Sequence, residues 1–169
     1  MNVVLVGFMG TGKTTVGKHL AERLRFAFVD VDRRVEKASG KTISEIFAKS
    51  GESAFRNLES EAVSALTAND RQVIATGGGV LLRAENRKKL RASGFLVCLS
   101  AAPGTILKRT QKNRKRPLLA GHGPPLERVK TLLDQRKALY ARSNIRVNTD
   151  GKTVPAIVQE IMKQLPFSA

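Results

Sequence analysis

"GFMGTGKTT", residues 7–15, follows a short apolar run that opens at Asn2. Gly7, Gly12, Lys13 and Thr14 fill the fixed positions of G-x-x-x-x-G-K-[ST], the loop that holds a nucleotide's phosphates. Gly10 and Gly12 let the backbone curl so that successive N–H groups point inward at phosphate oxygens. The helix that follows adds the positive end of its dipole. Lys13 reaches the β- and γ-phosphates, and the Thr14 hydroxyl ligates Mg²⁺. Strand, loop and helix in this order point to an α/β fold. They leave open what receives the phosphate, because a GTPase switch, an ATP-driven motor and a small-molecule kinase share the loop.

Outward from the loop, apolar β-branched runs alternate with helical patterns. Strands are expected at "NVVLVG" (2–7), "FAFVDV" (26–31), "RQVIATGG" (71–78), "GFLVCLS" (94–100) and "NIRVNT" (144–149). Helices are expected over 11–24, 32–39, 41–50, 51–68, 81–93, 103–113, 126–142 and 154–165. Val16, Leu20 and Leu24 recur at helical spacing in the first, and Thr42 with Glu45 forms a capping box at the start of the third. Strands alternating with helices give a five-stranded parallel sheet covered on both faces, a three-layer α/β/α domain spanning 1–169. No repeat, linker or low-complexity tract divides it. The stretch from about 32 to 68 is longer than a plain crossover needs, which suggests a helical substrate-binding insertion.

Composition narrows the classes. The chain has 169 residues, enough for one sizeable core, with an ordinary balance of 41% hydrophobic and 26% charged residues. No apolar run approaches the roughly 20 residues that span a bilayer, so no membrane partner is expected. The first strand leads directly into the phosphate loop and leaves no room for a signal peptide, so a cytoplasmic location is expected. Cys98, the only cysteine, lies in an apolar run and reads as a small buried hydrophobe. The formal net charge of +16 suits anionic ligands. The excess gathers in "RAENRKKLR" (83–91), read as a solvated helix face, and in "KRTQKNRKR" (108–116), which abuts Pro117 and a Gly/Pro-rich loop.

A guanine-specifying N-K-x-D should follow a late strand in a GTPase. The nearest match, "NTDG" (148–151), lacks the lysine, and no apolar run ends in D-x-x-G after the third strand. The chain is also short for a motor. A small-molecule kinase is left, and three further stretches bear on its acceptor. Asp30 and Asp32 stand where the second strand ends, and ligands of open α/β sheets gather at the carboxyl ends of strands. If the strand continues through Asp32, both point to the same side. One then assists Mg²⁺ through water and the other orients or deprotonates a hydroxyl, unless Asp32 simply caps the next helix. Gly77, Gly78 and Gly79 offer close approach and backbone N–H groups to a bound oxygen, or form a flexible turn. Arg56 and Glu59 share a helical face, either as a surface ion pair or as a carboxylate-binding fork held in place by the acid.

Together "GFMGTGKTTVGKHLAERL", "FVDVD", "ISEIFAKSGESAFRNLE", "TGGGV", "RPLL" and "RKALY" resemble the shikimate kinases, P-loop enzymes akin to nucleoside-monophosphate kinases. The match runs nearly end to end, and D-x-D, G-E-x-x-F-R-x-x-E and G-G-G in combination are highly specific. The resemblance implies transfer of the ATP γ-phosphate to the 3-hydroxyl of shikimate. It makes Asp32 the candidate base and places Asp30 toward Mg²⁺ with Thr14. It puts Arg56 and Arg136 on the shikimate carboxylate, with Gly77, Gly78 and Gly79 lining the same pocket. Arg116 becomes a residue of a mobile lid, about 112–125, that reaches the phosphates and acts in catalysis with Lys13 and Asp32. ATP is then bound by Gly10, Thr11, Gly12, Lys13, Thr14, Thr15 and Arg116, with Arg109 and Pro155 flanking adenine. His122 in the lid and His19 read as surface residues.

ATP, Mg²⁺ and shikimate are therefore the expected ligands, and a monomer the expected state. A related kinase for another acceptor, such as gluconate, is the nearest alternative, and the F-R-x-x-E arginine and the glycine run argue against it. A basic nucleic-acid-binding protein with a vestigial loop is the other. Only 5% of the residues are aromatic, and the loop keeps its lysine and threonine, so no specific nucleic-acid partner is expected.

Overall fold

The computed structural model describes residues 1–111 and 123–167. The expected lid, with Arg116 and His122, therefore falls almost wholly outside the described residues. Elsewhere the chain runs β1 (Asn2–Val6), α1 (Lys13–Leu24), β2 (Ala27–Asp30), α2 (Val31–Ser39), α3 (Ile43–Thr67), β3 (Gln72–Ala75), a 3₁₀ turn (Val80–Leu82), α4 (Ala84–Ser93), β4 (Gly94–Ser100), α5 (Pro103–Thr110), α6 (Pro125–Tyr140), β5 (Ile145–Asn148) and α7 (Val154–Met162).

The strands form one five-stranded sheet in the order β2-β3-β1-β4-β5. All pairings are parallel, with Val4 opposite both Ile74 and Leu96. β1 is buried on both faces, as its unbroken apolar run requires. Alternate residues serve two cores. Val3, Leu5, Val73, Val97, Leu99 and Val147 face Val16, Leu20 and Leu24 of α1 and Ile157, Val158 and Ile161 of α7. Val4, Val6, Ile74, Leu96 and Cys98 face the layer that α2 to α6 contribute. The result is the three-layer α/β/α architecture expected from the alternation. The chain leaves β1 toward β2 and β3, then crosses to β4 and β5, so the switch point lies beside the carboxyl end of β1, where such sheets bind ligands.

Local chemistry sets the ends of the elements that reach this crevice. β2 stops one residue earlier than expected, because Asp30 caps α2. Its Oδ1 accepts from the backbone N–H of Asp32 at 3.0 Å and of Arg33 at 3.3 Å. Asp32 thus lies in the first helical turn and not on the strand, so the alternation argument for placing it beside Asp30 does not apply. The helix cap is Asp30, not Asp32. The helices expected over 41–50 and 51–68 form one run that breaks at Gly51, whose backbone (φ 80°, ψ 175°) lies outside the helical region. Its capping box between Thr42 and Glu45 is present, and backbone and hydroxyl hydrogen bonds from Thr42 hold the Glu45 carboxyl below its ordinary pKa.

The helix expected from residue 81 starts at Ala84, after the 3₁₀ turn. Its basic residues are less idle than a solvated face. Arg83 donates to Ser60 and Asn57, Lys89 to Ser64, and Arg91 to the Arg142 carbonyl, which ties α4 to α3 and to the end of α6. Cys98 is buried, and burial pushes its thiol pKa up, as befits a core residue. His19 is exposed and stands 3.8 Å from Glu22.

Candidate active site

The phosphate loop is shaped by glycines whose conformations other residues avoid. Gly7, Gly10 and Gly12 have φ of 134°, 77° and 93°. A Cβ on Gly7 would lie 2.2 Å from the Leu99 carbonyl oxygen, so β4 leaves no room for a side chain there. Thr11 Oγ1 donates to Phe8 O at 2.7 Å. Lys13 is buried, and its Nζ donates to Gly7 O and Phe8 O, both at 2.8 Å. Its ammonium is thereby held within the loop. Thr15 is exposed beside it. Arg109, at the end of α5, joins the loop to the segment after β5. Its Nη1 donates to Gly10 O at 3.2 Å and to Thr149 Oγ1 at 3.1 Å. Pro155 is exposed in the first turn of α7, the helix entered from that segment.

Thr14 Oγ1 donates to Asp30 Oδ2 at 3.0 Å, which brings together the two residues expected at a metal. One hydroxyl and one carboxylate beside a phosphate loop are hard oxygen donors and suit Mg²⁺, which takes one or two protein ligands and completes its octahedron with phosphate and water. Among the described residues no cluster of three or more His, Cys, Asp or Glu could cage a metal alone.

The glycine run is the point on which the remaining candidates converge. A Cβ on Gly77 would stand 2.9 Å from Asp32 Oδ1 and 3.0 Å from Glu59 Oε1. One on Gly78 would stand 3.3 Å from the loop nitrogen of Met9 and 3.4 Å from Arg136 Nη1. One on Gly79 would lie 2.3 Å from Arg56 Nη2. Each glycine thus lets a different group come close: a carboxylate, the loop with one guanidinium, and a second guanidinium. This fit is the physical reason for three successive glycines here, and it rules out a merely flexible turn.

Arg56 is 6% exposed and Glu59 fully buried, so the two do not form a surface ion pair. Its Nη1 donates to Glu59 Oε2 at 2.8 Å, and its Nε and Nη2 reach Glu52 Oε1 at 3.4 and 3.2 Å. The guanidinium also lies 5.1 Å from the centre of the Phe55 ring. Glu59 is fully buried, and its Oε1 has no hydrogen-bond partner among the described residues. Burial raises its pKa, against the opposing pull of Arg56 first and of Arg83 and Arg136 after it. Arg136 is likewise buried, 5.5 Å from the Phe8 ring centre, and donates to Gly78 O at 3.1 Å. Two arginines at one backbone turn carry the donors that suit a small carboxylate.

Sequence reasoning quoted Glu52 and Tyr140 within its motifs but gave them no role, and it did not single out Thr149. Glu52 stands four residues before Arg56, and Tyr140 four after Arg136, so helical spacing alone could have flagged both. Tyr140 donates to Gly78 O at 2.6 Å. Thr149, the Arg109 partner, carries no such signal.

A family model described as "Shikimate kinase" matches residues 9–166. A shikimate kinase of Thermodesulfovibrio yellowstonii is 49% identical over 163 residues, covering 96% of this chain and 94% of that one. Another, from Symbiobacterium thermophilum, is 49% identical over 168 residues, covering 98% and 96%. Among solved structures, the shikimate kinase from Acinetobacter baumannii in complex with shikimate superposes with a TM-score of 0.92 at 39% identity, covering 96% of this chain and 90% of that one. Likeness that runs from the phosphate loop through the acidic strand end and the glycine run to the last helix leaves one conclusion, that the chain belongs to the shikimate kinase family.

Proposed function

We infer that this protein is an ATP-dependent shikimate kinase. It moves the γ-phosphate of ATP to the 3-hydroxyl of shikimate and yields ADP and shikimate 3-phosphate. The observation that carries this reading is the convergence of Asp32, Arg56 and Arg136 on Gly77–Gly79, with Met9 of the phosphate loop packed against Gly78. The shikimate carboxylate pairs with Arg56 and Arg136. A ring hydroxyl meets Asp32, whose carboxylate takes the proton as the oxygen–phosphorus bond forms and the bond to ADP breaks. Phosphoryl transfer needs mainly alignment and neutralisation of charge. Gly10, Thr11, Gly12, Lys13, Thr14 and Thr15 hold the phosphates, Arg109 and Pro155 flank the adenine, and Arg116 reaches in from a lid over about 112–125. Thr14 and Asp30 would hold Mg²⁺, which would neutralise phosphate charge.

On this reading the whole chain works as one kinase domain in which α2 and α3, about 32–68, carry the acceptor. It acts as a monomer in the cytoplasm without a nucleic-acid partner. Among the described residues no helix is long and apolar enough to cross a membrane. The deciding experiment is a coupled ADP-release assay with Mg-ATP. Fast release is expected only when shikimate is added. Equal rates with gluconate, or none with shikimate, sink the substrate assignment.

The two arginines give a second test. Arg136→Ala should weaken shikimate binding by about 10- to 150-fold, the value of a charge-assisted contact of roughly 1.5–3 kcal/mol. ATP affinity should hardly change. Arg56→Ala should do the same to shikimate and also destabilise the fold, because the buried Glu59 loses its nearest cation. Calorimetric titration of both variants checks this, and unchanged shikimate affinity in both returns Arg56 to the role of a structural partner for Glu59.

A further inference from the structure

The carbonyls from Gly77 to Leu82 are all taken up by protein donors. Gly77 O accepts from Val80 N at 3.2 Å and Gly79 O from Leu82 N at 3.0 Å. Val80 O accepts from Asn86 Nδ2 at 3.2 Å, and Leu81 O and Leu82 O from Arg87 Nη1 at 2.7 and 3.0 Å. Gly78 O accepts twice, from Tyr140 Oη at 2.6 Å and Arg136 Nη1 at 3.1 Å. The Tyr140 contact is the shorter of the two.

A trans peptide is planar, so its C=O and N–H point in opposite directions. Drawing Gly78 O onto α6 therefore turns the Gly79 N–H away from α6. Glycines at 78 and 79 have no side chain to hold that plane, and without a fixed carbonyl the peptide could rotate. Tyr140 is 8% exposed and packs in the core layer shared with Met9, Val80 and Leu81. Burial pushes its phenol up to about 12, so the hydroxyl stays a donor through the whole working pH range.

We propose that Tyr140 is a positioning residue for the acceptor: its hydroxyl holds the Gly78–Gly79 peptide so that the Gly79 N–H faces an oxygen of the bound acceptor. It also fixes Arg136, one turn earlier on α6, through the carbonyl that the two share. The inference rests on the acceptor site proposed above.

Tyr140→Phe is the test, since the ring that fills the core is kept. Loss of one neutral hydrogen bond should raise the KM for shikimate about three- to tenfold. The KM for ATP should stay within about twofold, because the loop residues are untouched. The Gly79 amide resonance in ¹⁵N-labelled protein should move relative to wild type and exchange faster with solvent, even before any ligand is added. A lower melting temperature with unchanged shikimate KM and an unmoved Gly79 amide overturns the proposal and leaves the hydroxyl merely structural. The assignment of the reaction is judged separately, on wild-type turnover. Should wild type ignore shikimate, the Gly79 amide still decides: a resonance identical in the two proteins refutes the positioning role.

Discussion

Lys13→Ala is expected to lower kcat by roughly 10²–10³-fold, the usual cost of removing one group that stabilises charge developing in a transition state. The argument starts from where the ammonium sits. Lys13 opens α1, and its side chain folds back to Gly7 O and Phe8 O within the loop. Only 8% of the residue is exposed, so the charge acts where water screens it little. On the proposed reading it neutralises the β- and γ-phosphates at the moment charge shifts onto ADP. Alanine keeps the helix start and removes the ammonium together with the buried stem that carries it. Phe8 O keeps a donor in Thr11 Oγ1. The loop should therefore persist, and circular dichroism should show an unchanged fold. Steady-state kinetics with saturating ATP and shikimate check the claim, and a kcat within a few-fold of wild type would mean that the loop binds nucleotide without taking part in the chemistry.

The fold was largely legible because its decisive signals are local. Strand β1 announces itself as an unbroken apolar run, and the phosphate loop must be followed by a helix. Gly and Pro mark several of the other ends, such as Gly40, Gly94, Pro103 and Pro125. The order of the strands was not legible, since nothing in the run of residues states that β1 lies between β3 and β4. The boundary of β2 was misjudged for a chemical reason. "FVDVD" alternates as a strand should, but Asp30 gains more by capping α2 than by extending the sheet. The start of α4 was misjudged in a similar way. Leu81 and Leu82 read as helix, but the Val80 and Leu82 N–H groups bond back to Gly77 O and Gly79 O in a tighter turn, and Arg87 takes the Leu81 and Leu82 carbonyls.

The candidate site was legible as a set of residues but not as an arrangement. Asp32, Arg56, Arg136 and the glycines are far apart in sequence, and only the packing of α2, α3 and α6 over the end of β3 brings them to one turn. Burial of Glu59 could not be read from its spacing, which is the same for a surface pair. Tyr140 was hidden by its neighbour, because the RKALY stretch directs attention to the arginine and the tyrosine looks like core.

Asp32→Asn should show whether the residue beside Gly77 takes a proton or only holds a place. The substitution keeps the shape of the side chain, so the close approach at Gly77 is preserved. An amide still hydrogen-bonds to a hydroxyl but does not accept its proton. General-base catalysis typically contributes about 10²–10⁴-fold, so kcat should fall by about that much. The KM for ATP should stay near wild type, because the metal-side carboxylate is Asp30 and it is untouched. A second, smaller effect must be kept apart. Asp32 is the acidic residue in the first turn of α2, and removing its charge weakens the favourable interaction with the helix dipole by about 0.3–1 kcal/mol. That loss appears in thermal unfolding as a shift of at most about 4 °C for a chain of this size. The two effects therefore separate by measurement. A large fall in kcat with a small fall in melting temperature supports the base. If instead kcat stays within about threefold, a change of less than ~1 kcal/mol in the barrier, Asp32 only orients the acceptor, and the hydroxyl proton passes to an oxygen of the transferred phosphoryl group or to solvent.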